Sequence, residues 1–232
     1  MVYAVSDLHG YPLEEFQCLL DKAGFTDDDF CFVLGDVIDR GADGIKILNW
    51  LMCQPNFELI LGNHESMLLA CDFLFNTVTE DAIYNLTGTK LHMYSSWIAN
   101  GGQPTVDALS VLRNDERDYL LEYLQDAPLY DTVTVGGRDF ILTHSGLGAF
   151  DVNKKLTEYS DSDLLWTRPD INTTYFNDVI TVFGHTPTVY YGDEYKGRAI
   201  VTDTWVNIDA GAACGFKPML LRLDDMKEFY LD

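Results

Sequence analysis

Hydrophobic positions in the first third of the chain follow two alternating rhythms. Residues 2–6, 30–34 and 57–61 are short apolar runs, and each predicts a strand. Between the first two, Leu13, Phe16, Leu19, Leu20 and Ala23 recur at helical spacing behind Pro12, which suits a first helical position. Residues 44–52 predict a second helix, and 67–75 begin another. The resulting β-α-β-α-β order implies a largely parallel sheet with helical cover.

Farther along, the rhythm changes. From about 72 to 129 the pattern is helical, with Leu109, Leu112, Leu120, Leu121 and Leu124 at spacings that fit one apolar face. Strand signals return at 129–135 and 140–143, joined by the turn pair Gly136-Gly137. Residues 151–178 are polar and without strong period, which predicts a long surface loop or lid. Residues 179–183, 199–202, 206–208 and 219–223 predict further strands. No internal repeat interrupts the pattern, and residues 1–232 are expected to form a single domain.

Composition narrows the classes. The chain carries 37 acidic against 15 basic residues, a formal charge of −22, yet 47% of its residues are hydrophobic, enough for a substantial core. So acidic a surface disfavours nucleic-acid backbone and anionic membrane, because both need Lys and Arg. The five cysteines form no C-x-x-C pair and sit mostly in apolar stretches, which predicts buried, reduced thiols. The start of the chain is too briefly apolar for a signal peptide, and no run approaches a membrane span. A cytoplasmic setting is the expectation.

The polar residues that end the strands carry the chemistry. Asp7-Leu8-His9-Gly10 follows the first strand, Gly35-Asp36-Val37-Ile38-Asp39-Arg40-Gly41 the second and Gly62-Asn63-His64-Glu65 the third. Thr143-His144-Ser145-Gly146 and Gly184-His185-Thr186-Pro187 follow two later strands. The carboxyl ends of parallel strands are where α/β sheets place ligands. Of five histidines, four (His9, His64, His144, His185) lie in these clusters, and only His92 falls elsewhere. One such histidine would be an ordinary hydrogen-bonded imidazole; four beside Asp7, Asp36 and Asn63 point to metal. Oxygen and imidazole ligands without thiolate suit Mn²⁺, Fe or Zn²⁺, and one carboxylate can bridge two ions in a hydrolytic site.

In this order, the segments DLHG, GDVIDRG, GNHE and the two later His motifs resemble the calcineurin-like metallophosphoesterase superfamily, in its phosphoprotein phosphatase branch. That branch includes bacterial Ser/Thr protein phosphatases and symmetrical diadenosine tetraphosphatases. Trp97 with Asn100-Gly101-Gly102, Leu165-Trp166-Thr167-Arg168 and residues 207–212 are similar to the bacterial members. His185 is followed by Thr186-Pro187 rather than x-His, which agrees with this branch and not with the general phosphodiesterase form. Ser6 stands where the branch usually has Gly, beside a ligand position rather than at one.

The resemblance implies an α/β fold in which a two-sheet β-sandwich is flanked by helices, with a helical insertion at about 72–129. It implies two divalent ions, with Mn²⁺ the first choice and Fe or Zn²⁺ as alternatives. Asp7, His9 and Asp36 would hold the first ion; Asp36 would bridge to the second, completed by Asn63, His144 and His185. His64, paired with Asp39, would protonate the leaving group, and Arg40 and Arg168 would grip phosphoryl oxygens. The implied reaction is hydrolysis of phosphomonoesters by a metal-bound hydroxide, with phosphoserine or phosphothreonine proteins the leading substrates. Hydrolysis of diadenosine polyphosphates or related phosphoanhydrides is the rival. A silent metal-binding interaction protein is a third reading, which the retained His64 and both arginines oppose.

The remaining polar residues carry structural expectations. Asp209 reads as a structural strand-end acid, Glu65 as a helix-start cap, and Lys154-Lys155 as a solvated pair. Tyr190, Tyr191 and Tyr195 fit either a substrate groove or ordinary packing.

Overall fold

Alternation along the first strand sets the architecture. In β1 (Val2–Val5), Tyr3 and Val5 point to one side and Ala4 to the other; in β2 (Phe30–Val33), Cys31 and Val33 oppose Phe32 in the same way. Both faces are apolar, as strands buried on both sides require. A computed structural model describes residues 1–75 and 87–231; residues 76–86 of the expected helical middle lie outside the described residues.

Among the described residues, two five-stranded sheets stack face to face. In the first, β1, β2 and β3 (Phe57–Leu59) are parallel, and β9 (Met219–Arg222) and β10 (Lys227–Tyr230) extend it antiparallel, in the order β10-β9-β1-β2-β3. The second runs β4 (Tyr130–Val135), β5 (Arg138–Thr143), β6 (Val179–Phe183), β8 (Trp205–Asn207) and β7 (Ile200–Val201), with β5, β6 and β8 parallel. Ala4, Phe32, Leu34 and Ile60 meet Phe140, Leu142, Val182 and Val206 between the sheets. The parallel strands of both sheets end near one another, which gathers their loops at one edge.

Helices cover the outer face of the first sheet. α1 (Leu13–Ala23) buries Leu13, Phe16, Leu19, Leu20 and Ala23, the positions its spacing predicts, and ends at Gly24 in the left-handed conformation. Pro12 caps it rather than beginning it. α2 (Gly44–Leu51) follows, and α3 (Asn63–Ala70) starts earlier than the apolar pattern predicts, directly at the Asn63-His64-Glu65 motif. α4 (Gly88–Ala99), α5 (Gln103–Ser110) and α6 (Asn114–Asp126) fill the middle and pack Trp97, Leu109, Leu120 and Leu124 into the same core.

The segment 151–178 differs from the expected loop or lid. It contains α7 (Asp161–Leu165), and Tyr159, Leu164 and Tyr175 bury against Phe183, Ile200 and Trp205 on the outer face of the second sheet. Its apolar residues are delivered singly, so they leave no period to detect. The thiols also depart from expectation: Cys31 and Cys71 are buried, but Cys18, Cys53 and Cys214 are exposed, and all five are free. β10 has no apolar run to mark it in the sequence, because its Lys-Glu-Phe-Tyr buries only Phe229. No described helix is long and apolar enough to cross a membrane.

Candidate active site

The loops that end the strands are bound into one another by their backbones. Asp7 N donates to Gly35 O (3.1 Å), His9 N to Asp36 O (2.8 Å), Gly10 N to Val37 O (2.7 Å) and Gly41 N back to His9 O (2.9 Å). These turns force unusual conformations. Asp7, His9, Asp36, Asp39, Arg40 and His185 all take positive φ, between 44° and 70°. Asp and His accept this region more readily than most side chains, and strain of this kind persists only where surrounding bonds hold it.

Glu65 supplies much of that hold. Fully buried at the start of α3, its carboxylate accepts from the backbone N–H of Asp36 (2.8 Å), Val37 (2.8 Å), Ile38 (3.2 Å) and Gly62 (3.1 Å). Burial pushes its carboxyl up, and the N–H groups of Asp36 and Ile38 oppose that rise. The sequence suggests a helix cap; the fold adds a strap across the β2 loop, visible only once β2 and α3 lie side by side. Gly62 is part of this approach, since a Cβ there would collide with Asp36 N, Asp36 Oδ1 and Glu65 Oε2.

Two clusters of ligand-type atoms share Asp36. His9, Asp36 and His64 form one, and Asp36, His144 and His185 the other. His9 Nε2 lies 3.5 Å from Asp36 Oδ2 and 3.8 Å from Asp7 Oδ1. His144 Nε2 lies 3.4 Å from Asp36 Oδ1, and Asn63 Oδ1 is 2.8 Å from both His144 Nε2 and His185 Nδ1. His9 Nδ1 faces Ile38 O (3.1 Å) and His144 Nδ1 faces Leu34 O (2.8 Å). Those carbonyls require a proton on Nδ1 and so turn the Nε2 lone pair of each ring into the site.

The donor set fits divalent cations. Asp7 Oδ1 is buried with no hydrogen-bond partner among the described residues, 3.8 Å from the His9 nitrogen. Burial raises the carboxyl of Asp7, and burial with Asp7 and Glu65 nearby raises that of Asp36 well above its ordinary value. Burial likewise holds His9 well below the usual imidazole range and lowers His185 to about 2. Buried carboxylates crowded with neutral imidazoles are costly unless a cation joins them. Six of the sequence-predicted ligands, Asp7, His9, Asp36, Asn63, His144 and His185, thus meet at one place.

His64, a member of the first cluster, also pairs with Asp39. His64 Nδ1 is 2.6 Å from Asp39 Oδ2. Asp39 has no exposed surface, and burial raises it to about 6, against the bonds from Thr105 and Trp97 that lower it. Trp97 Nε1 donates to Oδ2 at 2.8 Å and Thr105 Oγ1 to Oδ1 at 2.5 Å. The sequence marks Trp97 only by resemblance; Thr105 carries no signal at all, since a threonine in an amphipathic helix looks like any other. Arg40 Nη2 lies 3.1 Å from His64 Nε2, and its backbone N–H bonds Gly101 O at 2.8 Å. Burial and Arg40 lower His64 to about 3. Its Nε2 therefore accepts from Arg40.

Arg168 lies at the rim, with Nη1 3.3 Å from Thr186 Oγ1 and 3.4 Å from His185 O. Trp166 stands edge-on to the His185 ring, with centroids 6.1 Å apart. Lys154 is not a solvated cation: it pairs with Asp163 at 3.2 Å and lies over the Tyr159 ring. Asp209 is buried, and its Oδ1 accepts from Gly211 N at 2.9 Å. His92 is exposed on α4, away from both clusters.

Comparison with known proteins follows the same lines. The family model described as calcineurin-like phosphoesterase matches residues 1–210. A symmetrical bis(5'-nucleosyl)-tetraphosphatase of Chromobacterium violaceum is 26% identical over 203 residues, covering 84% of this chain and 60% of that protein. One from Buchnera aphidicola is 39% identical over 70 residues, covering 29% of this chain and 25% of the relative. The chain therefore spans from a quarter to three-fifths of the length of these two relatives. Among solved structures, one provisionally assigned as a diadenosine tetraphosphatase superposes with a TM-score of 0.64 at 15% identity, over 98% of this chain and 90% of the other. That similarity extends to the fold.

Proposed function

The chain belongs to the calcineurin-like phosphoesterase family, and from that premise we propose that it is a di-metal hydrolase of dinucleoside polyphosphates. The observation that carries the hydrolytic part is the single carboxylate, Asp36, common to both ligand clusters and adjacent to the His64–Asp39 pair. The substrate part is supported by the curated relatives, which are named for dinucleoside tetraphosphate. They shift the leading substrate from the phosphoprotein that the motifs alone suggest to the phosphoanhydride.

Asp7, His9 and Asp36 would hold one ion, and Asp36, Asn63, His144 and His185 the other, with Mn²⁺ our first choice among the Mn²⁺, Fe and Zn²⁺ that an oxygen-and-imidazole set suits. When bound, such ions supply Lewis-acid charge and lower the pKa of water. The chain's own residues do the rest. Arg40 and Arg168 hold the phosphoryl oxygens in planar, charge-assisted bonds. Arg40 leaves His64 Nε2 to do so, and that nitrogen is then free to carry a proton. Asp39 keeps the ring oriented and stabilises its charge. As the oxygen of water joins phosphorus and gives up one proton to solvent, the bond to the leaving oxygen breaks, and that oxygen takes a proton from His64.

The local charge answers the composition. The guanidiniums of Arg40 and Arg168, with two divalent ions when bound, would make the pocket attractive to phosphate inside a chain of charge −22. A panel of diadenosine tetraphosphate, a phosphoserine peptide and a phosphodiester, assayed on protein reconstituted with Mn²⁺, tests the reading. The dinucleotide is expected to be cleaved most efficiently. Preference for the peptide would return the phosphoprotein reading, and no hydrolysis of any of them would sink both.

A further inference from the structure

A cleft of about 440 Å³ opens on Arg168 and is bounded by Pro169, Asp170, Thr186, Tyr190 and Tyr191. That volume is within the range of small-ligand sites, about 300–1,000 Å³. It adjoins the candidate catalytic centre through one side chain, because the same Arg168 nitrogen that reaches His185 O bonds Thr186 Oγ1 on the cleft wall.

The wall is stiff on one side and open on the other. Tyr191 donates its hydroxyl to Pro169 O at 2.9 Å, which fixes its ring. Tyr190 is 71% exposed, and its hydroxyl lies 3.9 Å from Cys214 Sγ, which leaves the ring face open to the cleft. Asp170 adds a carboxylate to the rim, occupied by the N–H and side-chain amide of Asn172. An anionic extension of the substrate would meet that carboxylate. A neutral, flat group joined to a phosphate on Arg168 would not.

We infer that this cleft seats one nucleoside of the substrate, with Tyr190 as the platform on which its base stacks. The inference rests on the dinucleoside reading above and identifies which surface recognises the base. Stacking on an aromatic side chain needs no particular base, so the cleft accepts purines broadly.

Calorimetric titration of Mn²⁺-loaded protein with ADP and with inorganic pyrophosphate tests it without turnover. Tyr190→Ala is expected to weaken ADP about tenfold, equivalent to about 1.4 kcal/mol of stacking, and to leave pyrophosphate binding as in the parent. Tyr190→Phe, which keeps the ring, is expected to restore ADP binding. Unchanged ADP affinity in Tyr190→Ala, or equal loss for both ligands, overturns the inference. So does a phosphoserine peptide whose binding depends on Tyr190 when that of ADP does not. Failure to cleave diadenosine tetraphosphate with the ADP discrimination intact overturns the substrate reading alone. Cleavage with ADP binding indifferent to Tyr190 overturns the cleft alone.

Discussion

Trp97 donates its indole N–H to Asp39 Oδ2, the same oxygen that faces His64 Nδ1. The helical middle of the chain thus reaches into the candidate centre: α4 supplies Trp97, α5 supplies Thr105, and Gly101 between them accepts from the Arg40 backbone. Trp97→Phe keeps the buried ring but leaves one carboxylate bond unmade. It should cost about 1–3 kcal/mol in chemical denaturation. It should also slow alkyl phosphates more than aryl phosphates, because the loosened Asp39 orients the proton donor less well. Equal slowing of both substrates would assign Trp97 to packing alone.

His64→Asn removes the proposed proton donor while keeping the six proposed metal ligands. Turnover of a poor alkoxide leaving group should fall about 10²–10⁴-fold, the usual range for general acid catalysis. Aryl phosphates, and a phosphoanhydride whose leaving group is itself a phosphate, should lose much less. Parallel rate measurements on the three substrates check this; uniform loss would remove His64 from the proton-donor role.

Metal and pH are linked through the buried acids. Burial raises the carboxyls of Asp7 and Asp36 in the fold, so the stability these two groups contribute is fully present below their unfolded values and lost as pH rises through their folded values. His9, His64 and His185, held below the imidazole range by burial, act the other way and lose stability as pH falls, so the readout is the gain in Tm on adding Mn²⁺ to metal-stripped protein, which should widen with pH. Asp36→Asn removes one charge and the shared ligand. Stripped, it should outlast the parent at pH 8, yet gain little from Mn²⁺ and retain little metal by elemental analysis. Full occupancy at the parental rate would refute the bridging assignment.

Glu65→Gln tests the strap across the β2 loop. The amide presents N–H toward backbone donors that now meet a carboxylate. About 3 kcal/mol of stability should be lost, a fall of about 6–12 °C in Tm for a chain of this size. Metal affinity should drop as well, since Asp36 is carried by the released loop. A Tm within 1–2 °C of the parent, about the scatter of a neutral surface change, would contradict the strap.

Strands β1–β3, helix α1 and the candidate ligands were legible in the residue order. Alternating strands bury both faces, α1 repeats its apolar residues every three to four positions, and Asp, His and Asn recur at strand ends. These signals are local, and local patterns survive in a one-dimensional string. Tertiary structure alone decided the rest. Asp36 faces both clusters only because β1, β2, β5 and β6 end at one edge of two stacked sheets. Glu65 becomes a strap and Lys154 a half-buried wall cation through partners 29 and 9 residues away. Segment 151–178 becomes a packed wall through single aromatic side chains with no period. Periodicity reports which face of an element is apolar; it carries no information about which distant backbone a lone polar or aromatic side chain will meet.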